Sequence, residues 1–267
     1  MTRWRWSTPP GPRAPQVVLV VFAGAPLTDV RVDAAADVVD PEAAAALQVT
    51  TLARAADPAW FDGWRGGALR AIATTDLGAD LAALDAATHL GLVVATPDAP
   101  ADLGYLQTAW AVARAMVARG ATVVLDAHAH TFWRGAELPA VDAPLDPRRH
   151  IRLVFETDSA RTDRAHALHT RGMLAFGAPD LVALCGQDDA PLVGDQLGRL
   201  AAEVALGAEL AAPSHALTVS PTMRWQVIDD RDGLGALLQL NNRARVVVAD
   251  GGQHLVGVVA RLRAGAS

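Results

Sequence analysis

The twelve residues 169–180 constrain the backbone of this chain more than any other stretch. The run HTRGMLAFGAPD combines two glycines, a proline, charged residues and bulky apolar residues. Such a mixture requires special backbone angles and fixed side-chain directions, so it predicts a local structure that is neither a plain strand nor a plain helix. We expect Gly172 and Gly177 to occupy tight turns, and Met173 and Phe176 to point into the core.

Two charged residues of this run, Arg171 and Asp180, are candidate binding residues. In a structural interpretation they pair with each other across the turn. In a functional interpretation both side chains contact a ligand or a partner. We favour the structural interpretation because packing and turn formation explain every residue type in the run.

Strand and helix patterns alternate in the first half of the chain. Apolar runs predict four strands, at 17–23, 68–73, 89–95 and 121–127. Helices are expected at 41–47, which is rich in alanine, and at 103–119, where apolar residues recur at helical spacing. The order strand, helix, strand, strand, helix, strand predicts a ferredoxin-like unit.

The second half is expected to form a mostly antiparallel sheet with one long helix across it, at 192–210. Short strands are predicted at 151–156, 216–219, 223–228, 236–240, 245–249 and 254–262. The chain as a whole is therefore expected to belong to the α+β class.

The domain organisation predicted from composition has four segments. Residues 1–16 form a flexible N-terminal tail, residues 17–135 the ferredoxin-like half, residues 136–150 a linker rich in proline and aspartate, and residues 151–267 the second half. The two halves could also pack as one domain, because 267 residues suffice for one large domain or two small ones.

Composition excludes several classes of chemistry. All 23 basic residues are arginine, so the chain has no P-loop lysine, no kinase lysine and no lysine to bind pyridoxal phosphate. Cys185 is the one cysteine, which excludes an internal disulfide and a multi-cysteine zinc site. The net charge of −6 and the short apolar runs indicate neither a nucleic-acid partner nor a membrane. We expect a cytoplasmic protein.

The string LDAHAHT at 125–131 is the candidate metal site. On a strand, alternate side chains share a face, so Asp126, His128 and His130 would lie together. Two imidazoles and a carboxylate can hold a divalent metal such as zinc, with His169 or Glu156 as a further ligand. The alternative is a strand that runs into a polar loop, where histidine has no special role and no cofactor binds.

The run 169–180 also carries a resemblance. Its pattern TRGMxxFGxPD resembles that of uncharacterised bacterial proteins similar to the DUF4261 group, and more distantly to suppressor-of-fused-like domains. The stretch from Thr88 to Asp126 looks similar to the same group. The resemblance implies an α+β fold and a binding or immunity role, and it implies no reaction and no catalytic residues.

Two functions are therefore open. The first is a non-catalytic binding or accessory module of immunity-like type, whose partner would be another protein. The second is a metal-dependent hydrolase in which Asp126, His128 and His130 hold a metal-bound water as the nucleophile. The second predicts that these three side chains converge in a cleft between the two halves.

Overall fold

A computed structural model of the chain describes residues 2–11, 13–27, 41–156, 166–211, 213–221 and 223–256. These residues form helices and two β-sheets, of five and six strands. The α+β class expected from the sequence is confirmed. Among the described residues, no helix combines the length and the apolar composition needed to cross a bilayer.

The first sheet has the ferredoxin-like strand order. Its half of the chain consists of β1 (Val17–Ala23), α1 (Pro41–Ala45), β2 (Leu47–Ala53), α2 (Pro58–Gly63), α3 (Gly67–Leu77), α4 (Leu81–Asp85), β3 (His89–Ala95), α5 (Gly104–Val117), β4 (Ala121–Asp126) and β5 (Thr131–Arg134). The order in space is β2-β3-β1-β4-β5, and all neighbours are antiparallel. Strands β4-β1-β3-β2 are those of a βαββαβ unit, and β5 extends the sheet beside β4.

The second strand of this unit lies elsewhere than the sequence predicts. Residues 68–73, expected as a strand, belong to the helix α3, and β2 takes the strand position. Alanine and leucine favour the helix, and Ala73 and Leu77, four residues apart, are both buried on one side of it. A short apolar run does not distinguish a strand from a buried helical turn.

Helices cover both faces of the first sheet. Alternate residues of β1 enter two separate cores: Leu19 belongs to the core that includes α5, whereas Val20 packs with Phe61, Leu77 and Leu84 of the inserted helices. The insertion between β2 and β3 therefore closes the face that a plain ferredoxin-like unit leaves open.

The second sheet is mostly antiparallel, as expected. Its half consists of β6 (Arg152–Glu156), β7 (His166–Arg171), β8 (Asp180–Cys185), α6 (Ala190–Ala205), β9 (Ser214–Ser220), β10 (Met223–Asp229), α7 (Leu234–Leu237) and β11 (Ala244–Ala249). The order is β6-β7-β8-β11-β10-β9, and only β8 and β11 are parallel among these described strands. The one long helix is α6.

The strand expected at 236–240 is wrong, because α7 begins after Gly233 in a left-handed conformation and ends within that range. Most of the strand expected at 254–262 lies outside the described residues. In its described part, Leu255 makes an isolated parallel bridge to Cys185.

The run 169–180 folds as its composition predicts. Gly172 and Gly177 have φ of +101° and +64°, and the turn Met173–Phe176 lies between them. A Cβ atom on Gly172 would approach the carbonyl oxygen of His150 to 2.3 Å, so only glycine fits there. Met173 and Phe176 are fully buried. The run turns the chain from β7 into β8.

The segment before β1 is not the flexible tail that its composition predicts. Trp4 is buried; its backbone N–H donates to Gln107 and its indole N–H to the carbonyl of Ala143. Arg13 donates to the carbonyls of Val204 and Ala208 at the end of α6. Trp4 therefore holds the segment against the first half, and Arg13 holds it against the second half.

Both halves contribute to one core. Its members include Leu19 and Trp110 from the first half and Phe176 and Trp225 from the second. The segment 136–150, expected as a linker, adds buried side chains to the same structure, among them His150.

Candidate functional site

Residues 126–130 form a tight turn and not the continuous strand that the sequence predicts. The strand β4 ends at Asp126, and β5 begins at Thr131. The carboxylate of Asp126 accepts hydrogen bonds from the backbone N–H groups of His128 and Ala129, both at 3.1 Å. His130 follows with φ of +52°. The alternation that would place the three candidate ligands on one face is therefore absent.

The candidate metal ligands have separate surroundings. Burial raises the pKa of Asp126 to about 6, although its two backbone hydrogen bonds oppose the shift. The side-chain amide of Asn241 donates to Nδ1 of His128 at 2.9 Å, and burial lowers the pKa of His128 to about 4. Within the described residues, no three His, Cys, Asp or Glu side chains are grouped so that they could hold one metal ion.

A cleft of about 660 Å³ lies between the two sheets. On one side are α3 and the turn between β4 and β5; on the other is β6 at the edge of the second sheet. We name it the inter-sheet cleft. Its lining residues are Ala68, Ile72, His130, Arg152–Glu156, Arg171, Leu237, Leu238 and Gln239.

Asp76 on α3 connects both sides of the inter-sheet cleft. Its carboxylate accepts two hydrogen bonds from the Arg152 guanidinium, at 2.7 and 3.1 Å, and one from the backbone N–H of Phe132 at 3.0 Å. Arg152 also donates to the carbonyl of His130 at 2.9 Å. The charge of Arg152 is therefore matched, and its orientation is fixed.

Arg171 lies directly opposite Arg152 in the register of β6 and β7. Like charges at directly opposite positions of an antiparallel pair are unfavourable. Unlike Arg152, Arg171 forms no ion pair with a described carboxylate, and its guanidinium donates to the carbonyl of Leu238 at 3.2 Å. Burial lowers the pKa of Arg171, and the negative charges of Asp180 and Glu156 oppose this shift.

Arg171 and Asp180 form no direct ion pair of the kind predicted, although each charge acts on the other at longer range. Asp180 is buried at the start of β8, where its carboxylate accepts a hydrogen bond from the hydroxyl of Thr170 at 3.0 Å. Burial raises the pKa of Asp180 to about 6, against the effect of that hydrogen bond. Asp180 supports the turn, whereas Arg171 lines the inter-sheet cleft.

His130 presents a neutral ring to the inter-sheet cleft. Burial lowers its pKa to about 4, and the positive charges of Arg171 and Arg152 act in the same direction. At neutral pH the ring therefore carries one N–H donor and one acceptor nitrogen.

Glu156 is the acidic residue among the described residues that line the inter-sheet cleft. It is half-exposed at the end of β6, and its carboxylate lies 3.2 Å from Nε2 of His169. His169 is fully buried. Of the two further metal ligands suggested by the sequence, Glu156 lines the inter-sheet cleft and His169 lies beneath its surface.

Backbone strain marks the same place. Three non-glycine residues in the described part of the chain have positive φ, and two of them, His130 and Gln239, line the inter-sheet cleft. Such conformations persist only where the surroundings enforce them, and they concentrate at functional sites. Sequence analysis missed Asp76, Arg152 and Gln239, since no local pattern distinguishes them.

The arrangement fits binding of an anionic group better than covalent chemistry. Arg152 is paired with Asp76, so among the described residues that line the cleft Arg171 is the cation without an ion pair, with the neutral ring of His130 in the same cleft. Cys185 is buried, and burial raises its pKa to about 11, so the thiol is not an activated nucleophile at neutral pH.

Comparison of the chain with protein-family models, with curated proteins and with solved structures finds no match in any of the three. The resemblance to the DUF4261 group stays a prediction. A fold alone does not define an activity, so the residues of the inter-sheet cleft carry the evidence for function.

Proposed function

We propose that this chain is a non-catalytic binding or accessory module of the cytoplasm, and that the inter-sheet cleft receives a carboxylate group of its ligand. The observation that carries the proposal is the partly buried guanidinium of Arg171, which lies opposite a second arginine and forms no direct ion pair with a described carboxylate. The carboxylates of Asp180 and Glu156 act on it only at longer range. A buried charge is normally paired, so a ligand carboxylate would complete this site.

The chemistry of arginine favours a carboxylate as the ligand group. The planar guanidinium presents its N–H donors as a fork that matches the two oxygens of a carboxylate. A hydrogen bond to a charged group contributes about 1.5–3 kcal/mol to stability. His130 adds a neutral N–H donor in the same cleft, whereas the charge of Arg152 is already matched by Asp76.

No specific observation favours the metal-dependent hydrolase as a second candidate. Asp126 is engaged in the turn, and His128 is held by Asn241. The described residues hold no group of ligands for a metal ion. The expectation of a protein partner of immunity-like type fits a module whose cleft recognises one chemical group on a larger ligand.

Thermal unfolding with succinate as the probe tests the proposal. We expect succinate to raise the Tm of the protein more than sodium chloride of equal ionic strength does. Each kcal/mol of binding free energy corresponds to a rise of about 2–4 °C for a chain of this size. The effect should vanish in Arg171→Gln and weaken in Arg171→Lys, which keeps the charge and loses the fork.

The matched control is Arg224→Gln, which removes an exposed arginine of β10 that lies outside the inter-sheet cleft. This variant should retain the full response to succinate. An equal response in Arg171→Gln and in the unchanged protein would overturn the proposed site.

A further inference from the structure

Among the described strands, β6 has a neighbour on one side only. In the sheet order of the described residues it pairs with β7 and ends the sheet, and all five of its residues line the inter-sheet cleft. We infer that the inter-sheet cleft accepts an extended peptide of a partner protein, which adds to the free edge of β6 as a further strand. The inference rests on the proposed function and specifies the ligand.

The backbone of β6 leaves hydrogen-bonding groups for such a strand. No described loop or side chain bonds to the outward N–H and C=O groups of Arg152–Glu156. The nearby edge strand β5 differs, because Asp76 accepts from the N–H of Phe132 and α3 packs against that strand. The protein itself therefore covers the edge of β5, whereas the described residues leave the edge of β6 open to the inter-sheet cleft.

The dimensions favour a short extended segment. Five residues of a strand span about 17 Å at ~3.3 Å per residue. The opposite wall is formed by Ala68 and Ile72 of α3 and by Leu237, whose side chain is 76% exposed. This wall is apolar, so it can cover one face of a bound strand while β6 pairs with its edge.

The charges along β6 predict which residue types the peptide carries. Alternate residues of the strand share one face, and on β6 these are Arg152, Val154 and Glu156. Arg171 stands opposite Arg152 on the inner side. The peptide residue beside this arginine pair should be acidic. The peptide residue beside Val154 should be apolar, and the one beside Glu156 should be basic. The expected partner segment reads acidic, any, apolar, any, basic, in either direction.

Charges at the ends of an edge strand can also serve to keep other strands away. The two roles differ in a measurable way. A protective edge binds no peptide, whereas a receptive edge binds peptides whose backbone amides are free and whose charges match.

The experiment uses the full chain and an array of N-acetylated, C-amidated pentapeptides, so that no terminal charge takes part. The array carries the predicted pattern in both directions, the charge-reversed pattern, and versions in which alternate backbone amides are N-methylated. We expect the predicted pattern to bind, and N-methylation to weaken binding by about tenfold or more, since it removes the backbone donors. Arg171→Gln should weaken binding of the acidic peptides by a similar factor, and Arg224→Gln should not.

Each outcome has a defined meaning. Equal affinity for free and N-methylated peptides would overturn strand addition and leave the carboxylate site in place. A response to succinate without binding of any pentapeptide would do the same. Loss of both responses would overturn the inference together with the proposed function.

Discussion

The carboxylate of Asp76 and the guanidinium of Arg152 are joined by two hydrogen bonds, although the residues stand 76 positions apart in the chain. Asp76 belongs to the helices inserted in the first half, and Arg152 to the edge strand of the second sheet. Both side chains are largely buried, with 14% and 25% of their surface exposed. The pair therefore fixes one end of the inter-sheet cleft.

A double-mutant cycle measures the contribution of this pair to stability. We expect Asp76→Ala and Arg152→Ala each to lower the free energy of unfolding by about 2–3 kcal/mol, because each leaves a largely buried charge without its partner. The coupling energy should be about 1–3 kcal/mol. Urea denaturation of the four proteins gives all terms of the cycle.

The exposed pair of Arg70 and Asp85 is the control for that cycle, since it too joins a guanidinium to a carboxylate by two hydrogen bonds. Exposed pairs are screened by water and salt, so its coupling should be clearly the smaller of the two. Coupling of equal size in both cycles would contradict the role given to Asp76 and Arg152.

Gly172 should tolerate no side chain. Gly172→Ala forces a Cβ atom against the backbone oxygen of His150 in a left-handed conformation, and we expect a loss of about 3 kcal/mol or more. At Gly24 a Cβ atom meets nothing within 4 Å, and the backbone is not left-handed. Chemical denaturation should show Gly24→Ala close to the unchanged protein; similar losses at both positions would refute the packing of the turn.

Asp126 should make stability depend on pH in an unusual direction. Burial raises its pKa from 3.8 to about 6, so its contribution to folding is complete below pH 3.8 and is lost as the pH rises through about 6. Asp126→Asn stays neutral and can still accept from the two backbone N–H groups. As the pH rises from 4 to 7.5, the free energy of unfolding of Asp126→Asn should increase by about 2–3 kcal/mol relative to that of the unchanged protein.

The companion variant Asp126→Ala removes the acceptor as well as the charge. It leaves the N–H groups of His128 and Ala129 without their partner, which costs about 1–2 kcal/mol. Denaturation curves across this pH range separate the two effects. An Asp126→Asn variant whose stability follows the pH profile of the unchanged protein would argue against the raised pKa of Asp126.

His150 should act in the opposite direction. Its ring lies among Trp4, Trp110 and Phe176, with centroid distances of 5.7, 5.4 and 6.3 Å, and burial lowers its pKa from 6.5 to about 3. Its contribution to stability is present above pH 6.5 and is lost as the pH falls towards 3. As the pH falls from 7 to 5, the free energy of unfolding of His150→Phe should therefore decrease by about 2 kcal/mol less than that of the unchanged protein.

The exposed His254 provides the control for that comparison. His254→Phe should follow the unchanged protein from pH 7 to pH 5 in the same denaturation series. If the stability of His150→Phe also follows that of the unchanged protein, the aromatic surroundings do not keep the His150 ring neutral.

Much of the fold could be predicted because its signals are local. Periodic apolar residues identify α5 and α6, and Gly172 and Gly177 mark the turns of the run 169–180. The error at 68–73 arose because a short alanine-rich apolar run suits a buried strand and a buried helical turn equally well.

The candidate site could be predicted only in part. His130, Glu156 and Arg171 are singled out by residue type, and the structure brings all three to one cleft. The metal geometry failed because two backbone N–H groups bond to the Asp126 carboxylate and end the strand there. Such a turn is not visible in an alternating pattern. The part played by Asp76 depends on contacts between distant segments.

The most direct test of the account observes the side-chain N–H groups of arginine by NMR while succinate is added to the ¹⁵N-labelled protein. The Arg171 Nε–H signal, assigned by its loss in Arg171→Gln, should shift and saturate together with the ring signals of His130. The Arg224 signal should stay in place. If the Arg171 and His130 signals do not move while succinate is present in excess, the inter-sheet cleft does not bind a carboxylate, and the central claim is wrong.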